Sequence, residues 1–322
     1  MEHRYKFSPY VHFLLTERGK IRPIDAPRIQ DRQVEKAYTQ DVLLALYLPS
    51  MIWNNGASLP GKGFAFSKRM MVKELTAHFR KYGRSGWLIL TDAEKYFPSA
   101  PHDRIYQRHR DLILDPDLKE FGDSVIRTVP GSKGMPLGVE PSQAEMIALP
   151  SPLDNYIKCQ LGLKGAGHYM DDYHILVPPD RDPKEVLALI KRKAAECGVT
   201  ISDRKTQIVP LYRPFRYCKA KYYLSETGHV VTRANKTALP RDRRKLKAFH
   251  EKVKQGKMSL EDLWTSVNGM LSYLEDYDEH NHILELRRLF FSLFGFSCEK
   301  IDYFRRQAAW NTSRSNASNA TA

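Results

Sequence analysis

The chain is poor in cysteine and has no long apolar run. Its four cysteines, Cys159, Cys197, Cys218 and Cys298, lie far apart and form neither a CxxC pair nor a His/Cys cluster at zinc-ligand spacing. We therefore expect reduced, packed thiols. No stretch approaches the roughly 20 apolar residues of a membrane span, and the first residues lack the apolar core of a signal peptide. These absences predict a cytoplasmic protein that does not associate with membranes.

Internal repeats are also absent, which argues against a solenoid. The 322 residues allow one large domain or two to three small ones. Acidic residues are outnumbered, with 37 Asp and Glu against 51 Lys and Arg, and the formal net charge is +14. A surface of this sign attracts a polyanion and predicts salt-dependent binding to nucleic acid. The charge alone is a weak indicator, because many basic proteins are simply soluble.

Two acidic motifs adjoin predicted strands. Asp171 and Asp172 precede the apolar run 173–177, and Asp92 closes the apolar run 87–90. Carboxylates at two strand ends can hold two divalent cations about 3.5–4 Å apart, which activate an attacking hydroxyl and stabilise a leaving pyrophosphate. The pattern predicts the metal site of a template-directed nucleotide polymerase. The alternative interpretation of the acid pair is surface charge.

Helices are predicted on both sides of these motifs. One helix has its start marked by Asp31, and its apolar positions are Val34, Tyr38, Val42 and Leu46. Residues 142–149 also have a helical pattern. A further helix is predicted from the N-cap Asp182 to the terminator Gly198. From Asp242 onward three apolar stripes at helical spacing predict a separate helical subdomain.

Taken in order, the segments from about Ile21 to Leu293 resemble the sequence blocks of reverse transcriptases. The segments that carry the resemblance include Leu90-Thr91-Asp92-Ala93-Glu94-Lys95-Tyr96-Phe97, Tyr169-Met170-Asp171-Asp172, Ser202-Asp203-Arg204-Lys205-Thr206 and Phe215-Arg216-Tyr217-Cys218-Lys219. The resemblance implies an α+β right-hand polymerase with fingers, a palm built on an antiparallel sheet, and a helical thumb. The implied boundaries are 1–85 for the fingers, 86–235 for the palm with part of the fingers and the primer grip, 236–310 for the thumb, and 311–322 for a disordered tail.

The resemblance also implies roles for individual residues. Asp92, Asp171 and Asp172 would bind two Mg²⁺ ions, for which Mn²⁺ can substitute, and Lys205 would be a general acid for the departing pyrophosphate. The implied dNTP-binding residues are Arg22, Arg32, Ala93, Phe97, Leu137, Gly138 and Gln143. Phe97 occupies the position where the family keeps an aromatic residue that excludes a ribose 2′-hydroxyl, which implies a preference for deoxynucleotides. The alternatives are that Phe97 is a core residue, that Lys205 is a loop lysine, and that both arginines belong to a solvated basic face.

Primer and template contacts are implied for a third group. Its members are Tyr169, Met170, Gly61, Lys62, Gly63, Tyr217 and Lys219. Glycine allows the backbone to approach a phosphate closely, and interleaved aromatic and basic residues suit stacking and backbone tracking. The alternative for Tyr169 and Met170 is that they only pack the hairpin.

One block favours a subtype. Most retron and group II intron enzymes have Gln-Gly-x-x-x-Ser-Pro, whereas this chain has Leu137 in place of the Gln and Gln143 in place of the Pro. This form resembles reverse transcriptases of diversity-generating retroelements, as does Pro152-Leu153-Asp154. An aliphatic side chain would lose a hydrogen bond near the templating pair. The resemblance therefore implies relaxed fidelity, particularly opposite adenine.

The predicted activity is RNA-directed DNA polymerisation by a bacterial or phage-encoded enzyme. Its implied partners are template RNA, primer and product DNA, dNTPs and a small basic accessory protein. No RNase H, nuclease or integrase pattern follows the predicted thumb, so we expect partners or RNA structure to select the template. The nearest rival is a stand-alone reverse transcriptase of phage defence. A non-catalytic nucleic-acid-binding scaffold and an RNA-dependent RNA polymerase are further alternatives, which the three acids and Phe97 respectively disfavour.

Overall fold

The computed structural model describes residues 7–17, 19–234 and 237–298. It divides into two compact units. The first contains the described residues up to Arg213 together with Leu224–Val230, and the second contains Pro214–Tyr223 and the described residues from Val231 onward. The predicted tail, 311–322, lies outside the described residues.

The first unit contains most of the helices and strands. Its strands are β1 (Val11–Glu17), β2 (Lys20–Ala26), β3 (Trp87–Asp92), β4 (Ala166–Tyr169), β5 (Asp172–Val177) and β6 (Gln207–Pro210). Its helices are α1 (Ile29–Ala37), α2 (Leu44–Tyr47), α3 (Phe64–Tyr82), α4 (Tyr96–Ser99), α5 (His102–Leu112), α6 (Pro116–Arg127), α7 (Glu140–Ala148), α8 (Ser151–Asn155) and α9 (Pro183–Glu196). Two π-helical segments, Tyr38–Leu43 and Tyr156–Gln160, and the 3₁₀ turn Leu48–Ser50 complete these elements.

A four-stranded antiparallel sheet forms the centre of the first unit, in the order β4-β5-β3-β6. Nearly every residue of β3 and β5 is buried, which explains why both appear in the sequence as short continuous apolar runs. The main core joins Ile89 of β3 and Ile175 of β5 to Ile190 of α9. The sheet is thus a rigid base for the residues at its strand ends.

The helix predicted to start at Asp31 differs from the prediction. It begins at Ile29, because Arg28 is extended and its carbonyl accepts the Arg32 N–H at 2.9 Å. The π-helical segment 38–43 then adds a residue to one turn. The buried face consequently passes from Tyr38 to the residues Leu43, Leu44 and Tyr47, one position beyond the predicted Val42 and Leu46.

A buried polar network fixes α7. The Tyr47 hydroxyl donates to Glu145 Oε1 at 2.7 Å, and the ring of His109 lies between Glu145 (3.0 Å) and Asp123 (2.6 Å). Burial by itself lowers the pKa of His109, but the two carboxylates outweigh it and the net shift is upward. Because α7 carries Gln143, this network also holds a predicted nucleotide-binding residue in place.

The other predicted helices are confirmed. The Asp182 side chain accepts the Lys184 N–H at 2.8 Å at the start of α9, and Gly198 has a positive φ of 76° beyond its end. A three-stranded sheet lies mostly in the second unit and consists of β7 (Phe215–Tyr217), β8 (Ala220–Leu224) and β9 (Val230–Arg233). The second unit also contains the helices α10 (Ala238–Lys254), α11 (Leu260–Glu275) and α12 (His280–Phe294). The three predicted apolar stripes pack together in a separate core, to which α10 contributes Leu246, α11 contributes Leu263 and α12 contributes Phe290. Among the described residues, no helix is both long and apolar enough to cross a membrane.

Candidate active site

The sheet brings the three predicted metal ligands to one place. Asp92 is the last residue of β3, and it pairs in register with Asp172, the first residue of β5. The Ala93 N–H donates to the Asp171 carbonyl at 2.9 Å, which ties the β4–β5 turn to the end of β3. The Asp92 carboxylate is close enough to Asp171 to raise the pKa of that residue. Antiparallel pairing therefore turns two distant sequence motifs into one acidic cluster.

The turn that presents Asp171 has a strained backbone. Tyr169 pairs with Asp172, so that only Met170 and Asp171 connect β4 to β5. Met170 has φ = 57°, in the left-handed region, which costs a non-glycine residue about 1–2 kcal/mol. Surrounding contacts must hold such a conformation, and strain of this kind is common at functional sites.

Burial and neighbouring charge raise the pKa of two of the acids. Burial raises the pKa of Asp171, and the Asp92 charge adds to the shift. Desolvation of its carboxyl group and the charges of Asp171 and Asp92 raise the pKa of Asp172 to about 6, although the residue as a whole is exposed to solvent. Lys205 opposes the shift at both positions. The cluster thus concentrates negative charge, as expected of a site for cations.

Lys205 is held next to this cluster by its loop. The Ser202 N–H donates to the Asp92 carbonyl at 2.9 Å, and the hydroxyls of Thr91 and Thr206 are 2.7 Å apart. These bonds place the Lys205 ammonium 2.5 Å from Asp92 Oδ1. A lysine 113 positions away along the chain is therefore the direct partner of an active-site acid.

The donor set fits a divalent metal ion by its chemistry. Mg²⁺ takes oxygen ligands, commonly one or two carboxylates, and Asp92, Asp171 and Asp172 offer only carboxylate oxygens. In the described part of the chain, no three His, Cys, Asp or Glu side chains are already arranged to hold a metal. Lys205 instead contacts an oxygen of Asp92. A metal would compete with this ammonium for the carboxylate.

The predicted nucleotide-binding residues fall into separate places. Arg32, Gly138 and Gln143 line a cleft of about 570 Å³. Arg22, on the exposed edge of the β1–β2 hairpin, is not among the lining residues. Neither are Ala93, Phe97 and Leu137. Ala93 is buried beside the acids, and Phe97 is half-buried in α4, where its carbonyl accepts the Met135 N–H at 3.0 Å.

The block containing Leu137 packs against the β1–β2 hairpin. The Leu137 carbonyl accepts the Asp25 N–H at 2.8 Å. Gly138 has φ = 112°, and a Cβ there would lie 2.8 Å from the Asp25 carbonyl oxygen. Glycine is required at this position by both its conformation and this close approach. Gln143 Oε1 accepts the Ser58 hydroxyl at 3.1 Å, which joins the loop before α3 to α7.

The predicted primer and template residues are divided between the units. In the first unit, Tyr169 stacks on Phe64 with ring centroids 4.3 Å apart. Lys62 donates to the carbonyls of Trp53 (2.8 Å) and Asn55 (3.0 Å), and burial lowers its pKa. These contacts give Lys62 a structural role that its sequence motif did not indicate.

The glycines around Lys62 remain open to solvent contact. Gly61 and Gly63 have φ values of 71° and 141°, and a Cβ at either would meet no atom within 4 Å. In the second unit, Tyr217 is buried at the end of β7. Lys219 lies in the tight turn to β8, with φ = 66°.

Two features escaped sequence reasoning. Glu35 is buried and lines the same cleft as Arg32; burial raises its pKa to about 7, although it accepts a hydrogen bond from the Tyr10 hydroxyl. His168 and Asp154 form a buried pair beneath the Met170 turn. Nothing in the sequence around Glu35 marks it as buried. His168 could have been noticed as a histidine directly before the acidic motif.

Comparison with known proteins agrees with this arrangement. The sequence profile of the family "Reverse transcriptase (RNA-dependent DNA polymerase)" matches residues 12–224, which is more than half of the chain. The chain therefore belongs to the reverse transcriptase family. Polymerases of this family typically use divalent metal ions. No curated protein sequence matches the chain.

Solved structures extend the likeness to the fold. Telomerase from Candida albicans, in complex with a TWJ fragment of telomeric RNA, aligns with a TM-score of 0.55 and 11% identity over 94% of this chain and 58% of that chain. This chain thus spans a little over half the length of that telomerase. The likeness confirms the predicted polymerase fold, which combines helices with an antiparallel sheet.

Two further structures align more weakly. Apo telomerase from Candida tropicalis, truncated from its C-terminal domain, has a TM-score of 0.49 and 13% identity over 70% of this chain and 55% of that chain. The RNA-dependent RNA polymerase of a human picobirnavirus has a TM-score of 0.43 and 12% identity over 63% of this chain and 39% of that chain. Neither carries an argument about this chain.

Proposed function

We propose that the chain is an RNA-directed DNA polymerase that adds dNTPs to a primer 3′-hydroxyl, with Asp92, Asp171 and Asp172 as ligands of two Mg²⁺ ions. The observation that carries this proposal is the convergence of the three acids at paired strand ends in a chain of the reverse transcriptase family. When bound, the metal ions would activate the primer hydroxyl and stabilise the leaving pyrophosphate. Template RNA, primer and dNTPs are the substrates of this proposal.

The chain's own contribution is positioning and charge neutralisation. Phosphoryl transfer depends mainly on holding the reacting groups in line and offsetting their charge. The β3–β5 pairing aligns the acids, and the loop bonds of Ser202 and Thr206 keep Lys205 beside them. Arg32 and Gln143, on the cleft, are available to the incoming nucleotide. We retain 1–85, 86–235 and 236–310 as the proposed fingers, palm and thumb.

Primer extension tests the proposal directly. Purified protein would be given an RNA template, an annealed DNA primer, Mg²⁺ and either dNTPs or rNTPs. Metal-dependent DNA synthesis that is lost in the double variant Asp171→Ala/Asp172→Ala would support the enzyme. Synthesis unaffected by that variant, or binding of nucleic acid with no synthesis under any primer condition, would contradict it and favour the scaffold.

Lys205 gives a second expected result. If it protonates the departing pyrophosphate, Lys205→Ala should lower kcat by about 10²-fold or more, with little change in the KM for dNTP. Lys205→Arg is the matched control, because arginine keeps the charge beside Asp92 but does not release a proton at accessible pH. Single-turnover rates measured from pH 6 to 9 would distinguish the two roles. Full activity of Lys205→Arg would leave Lys205 as a neutralising charge only.

The subtype we propose is the reverse transcriptase of a diversity-generating retroelement. It is supported by the identities of Leu137 and Gln143. The Leu137 carbonyl is hydrogen-bonded to the β1–β2 hairpin, and Gln143 lines the cleft. Sequencing of the extension products tests it, since misincorporation concentrated at template adenines is expected. Accurate or untemplated products would favour the phage-defence alternative. A small basic accessory protein and a cytoplasmic, bacterial or phage setting belong to the same proposal.

A further inference from the structure

His168 lies directly beneath the turn that carries Asp171. The residue is 1% exposed, and its ring stacks on Tyr173 of the neighbouring strand, with ring centroids 4.9 Å apart. Its backbone is bonded on its outer side as well: its N–H donates to the Asn54 carbonyl at 3.1 Å, and its carbonyl accepts the Gly56 N–H at 2.9 Å. The ring therefore has a fixed position and direction.

Both ring nitrogens of His168 face atoms that can only accept. Nδ1 is 3.0 Å from the Met170 carbonyl oxygen, and Nε2 is 3.0 Å from Asp154 Oδ2. A neutral imidazole has a single N–H and could satisfy only one of them, whereas the imidazolium donates to both. Asp154 is 2% exposed, so its carboxylate is a buried counter-ion for this ring.

The electrostatics agree with this protonation state. Burial by itself lowers the pKa of His168, but Asp154 and the Met170 carbonyl outweigh it, and the net shift is upward. The two groups form a buried, hydrogen-bonded ion pair, an arrangement that is strongly destabilised when one partner is removed.

The Met170 carbonyl belongs to the peptide group that leads into Asp171. Met170 is in the left-handed region, where a non-glycine residue persists only if its surroundings hold it. The hydrogen bond from His168 Nδ1 to this carbonyl restrains the peptide group from the interior of the protein. The hydrogen bond from the Ala93 N–H to the Asp171 carbonyl restrains the next peptide group, between Asp171 and Asp172.

We propose that His168, oriented by Asp154, is a positioning residue that fixes the Met170–Asp171 peptide and thereby the direction of the Asp171 carboxylate. This inference rests on the proposed function, since it assigns the pair to the metal-binding turn. Outer groups that orient metal ligands typically change metal affinity or activity by about 10–100-fold when they are replaced.

Two substitutions separate the two hydrogen bonds of the ring. The amide nitrogen of asparagine can take the place of Nδ1, and that of glutamine can take the place of Nε2. His168→Asn therefore keeps the donor to the Met170 carbonyl and loses the donor to Asp154, whereas His168→Gln does the opposite. Asp154→Asn, alone and combined with His168→Asn, removes the buried charge in case an unpaired carboxylate prevents folding.

Three properties would be measured for each variant. The first is Mn²⁺ binding in the absence of nucleotide, monitored by electron paramagnetic resonance. The others are the melting temperature and the kcat and KM for dNTP addition. We expect His168→Gln to weaken Mn²⁺ binding and lower kcat by about tenfold or more, with the KM for dNTP nearly unchanged. His168→Asn, or its double variant with Asp154→Asn, should stay within about threefold of the wild type, although its melting temperature falls.

Equal losses in the Asn and Gln variants, in proportion to their lost stability, would overturn the inference and leave His168 as a packing residue. This failure is distinct from failure of the proposed function. In the former case the wild-type chain binds Mn²⁺ and makes DNA, and only the pattern among variants differs. A wild-type chain that neither binds Mn²⁺ nor makes DNA would overturn both.

Discussion

Asp171→Asn is expected to lower DNA synthesis by about 10³-fold or more and, at the same time, to raise the melting temperature of the metal-free protein at pH 7. The activity falls because an amide replaces a proposed metal ligand. The stability rises because the variant removes one of the mutually repelling charges of the cluster. Primer extension and thermal unfolding on the same preparations would measure both effects.

The pH dependence of the stability gain follows from the direction of the shifts. The folded-state pKa values of Asp171 and Asp172 are raised, so the folded state binds more protons than the unfolded state between the usual aspartate pKa and the raised value. The cost of ionising Asp172 therefore grows from about pH 4 to about pH 6 and is complete above that range. The gain from Asp171→Asn should disappear in acid, where the carboxyl groups are protonated.

Asp180→Asn is the matched control for this experiment. Asp180 is an exposed acid beyond the opposite end of β5, outside the cluster. It should change neither synthesis nor the melting temperature by more than a small amount. Wild-type synthesis in Asp171→Asn would reject the assigned role. A lower melting temperature at pH 7 would show that the acids do not repel one another as proposed.

Phe97→Ala is expected to raise the use of rNTPs relative to dNTPs by at least about tenfold. The ring is half-buried, packs against the main core and meets Tyr96 edge-on, with centroids 6.3 Å apart. Truncation would open space beside α4 for a 2′-hydroxyl. An enzyme that distinguishes two substrates by shape alone typically does so by about tenfold or somewhat more, which sets the expected change. Single-nucleotide extension with each dNTP and its matching rNTP would measure the ratio.

The control for this substitution is Phe97→Tyr, which keeps the ring and should keep the deoxynucleotide preference. An unchanged ratio in Phe97→Ala, with the protein still folded, would assign Phe97 to the core instead. It would also remove the main argument against ribonucleotide synthesis.

Local patterns predicted much of this molecule. The strands β3 and β5, the capping of α9 and the three terminal helices were predictable because each depends on nearby residues: apolar periodicity, an Asp before a Pro, a glycine after the last turn. The positions of Asp92, Asp171 and Asp172 at strand ends followed from the same signals. Only their pairing across β3 and β5 required the sheet.

Other features depended on distant residues. The π-helical segment after α1 moved the buried face to Leu43 and Leu44, because helical periodicity cannot indicate where a turn gains a residue. Lys62 proved to bind carbonyls of a neighbouring loop. The raised pKa of Glu35 comes from burial under the folded chain, which its own sequence neighbours do not encode.

The sequence by itself determined the family, the fold class and the residue types of the proposed site, because these are carried by motifs and by the spacing of apolar residues. Tertiary structure alone decided which groups meet. It places the Lys205 ammonium beside Asp92. It also places Nδ1 of His168 next to the Met170 carbonyl and Nε2 next to Asp154. The physical reason is that hydrogen bonds and charge interactions act over a few ångströms in space, whatever the separation along the chain.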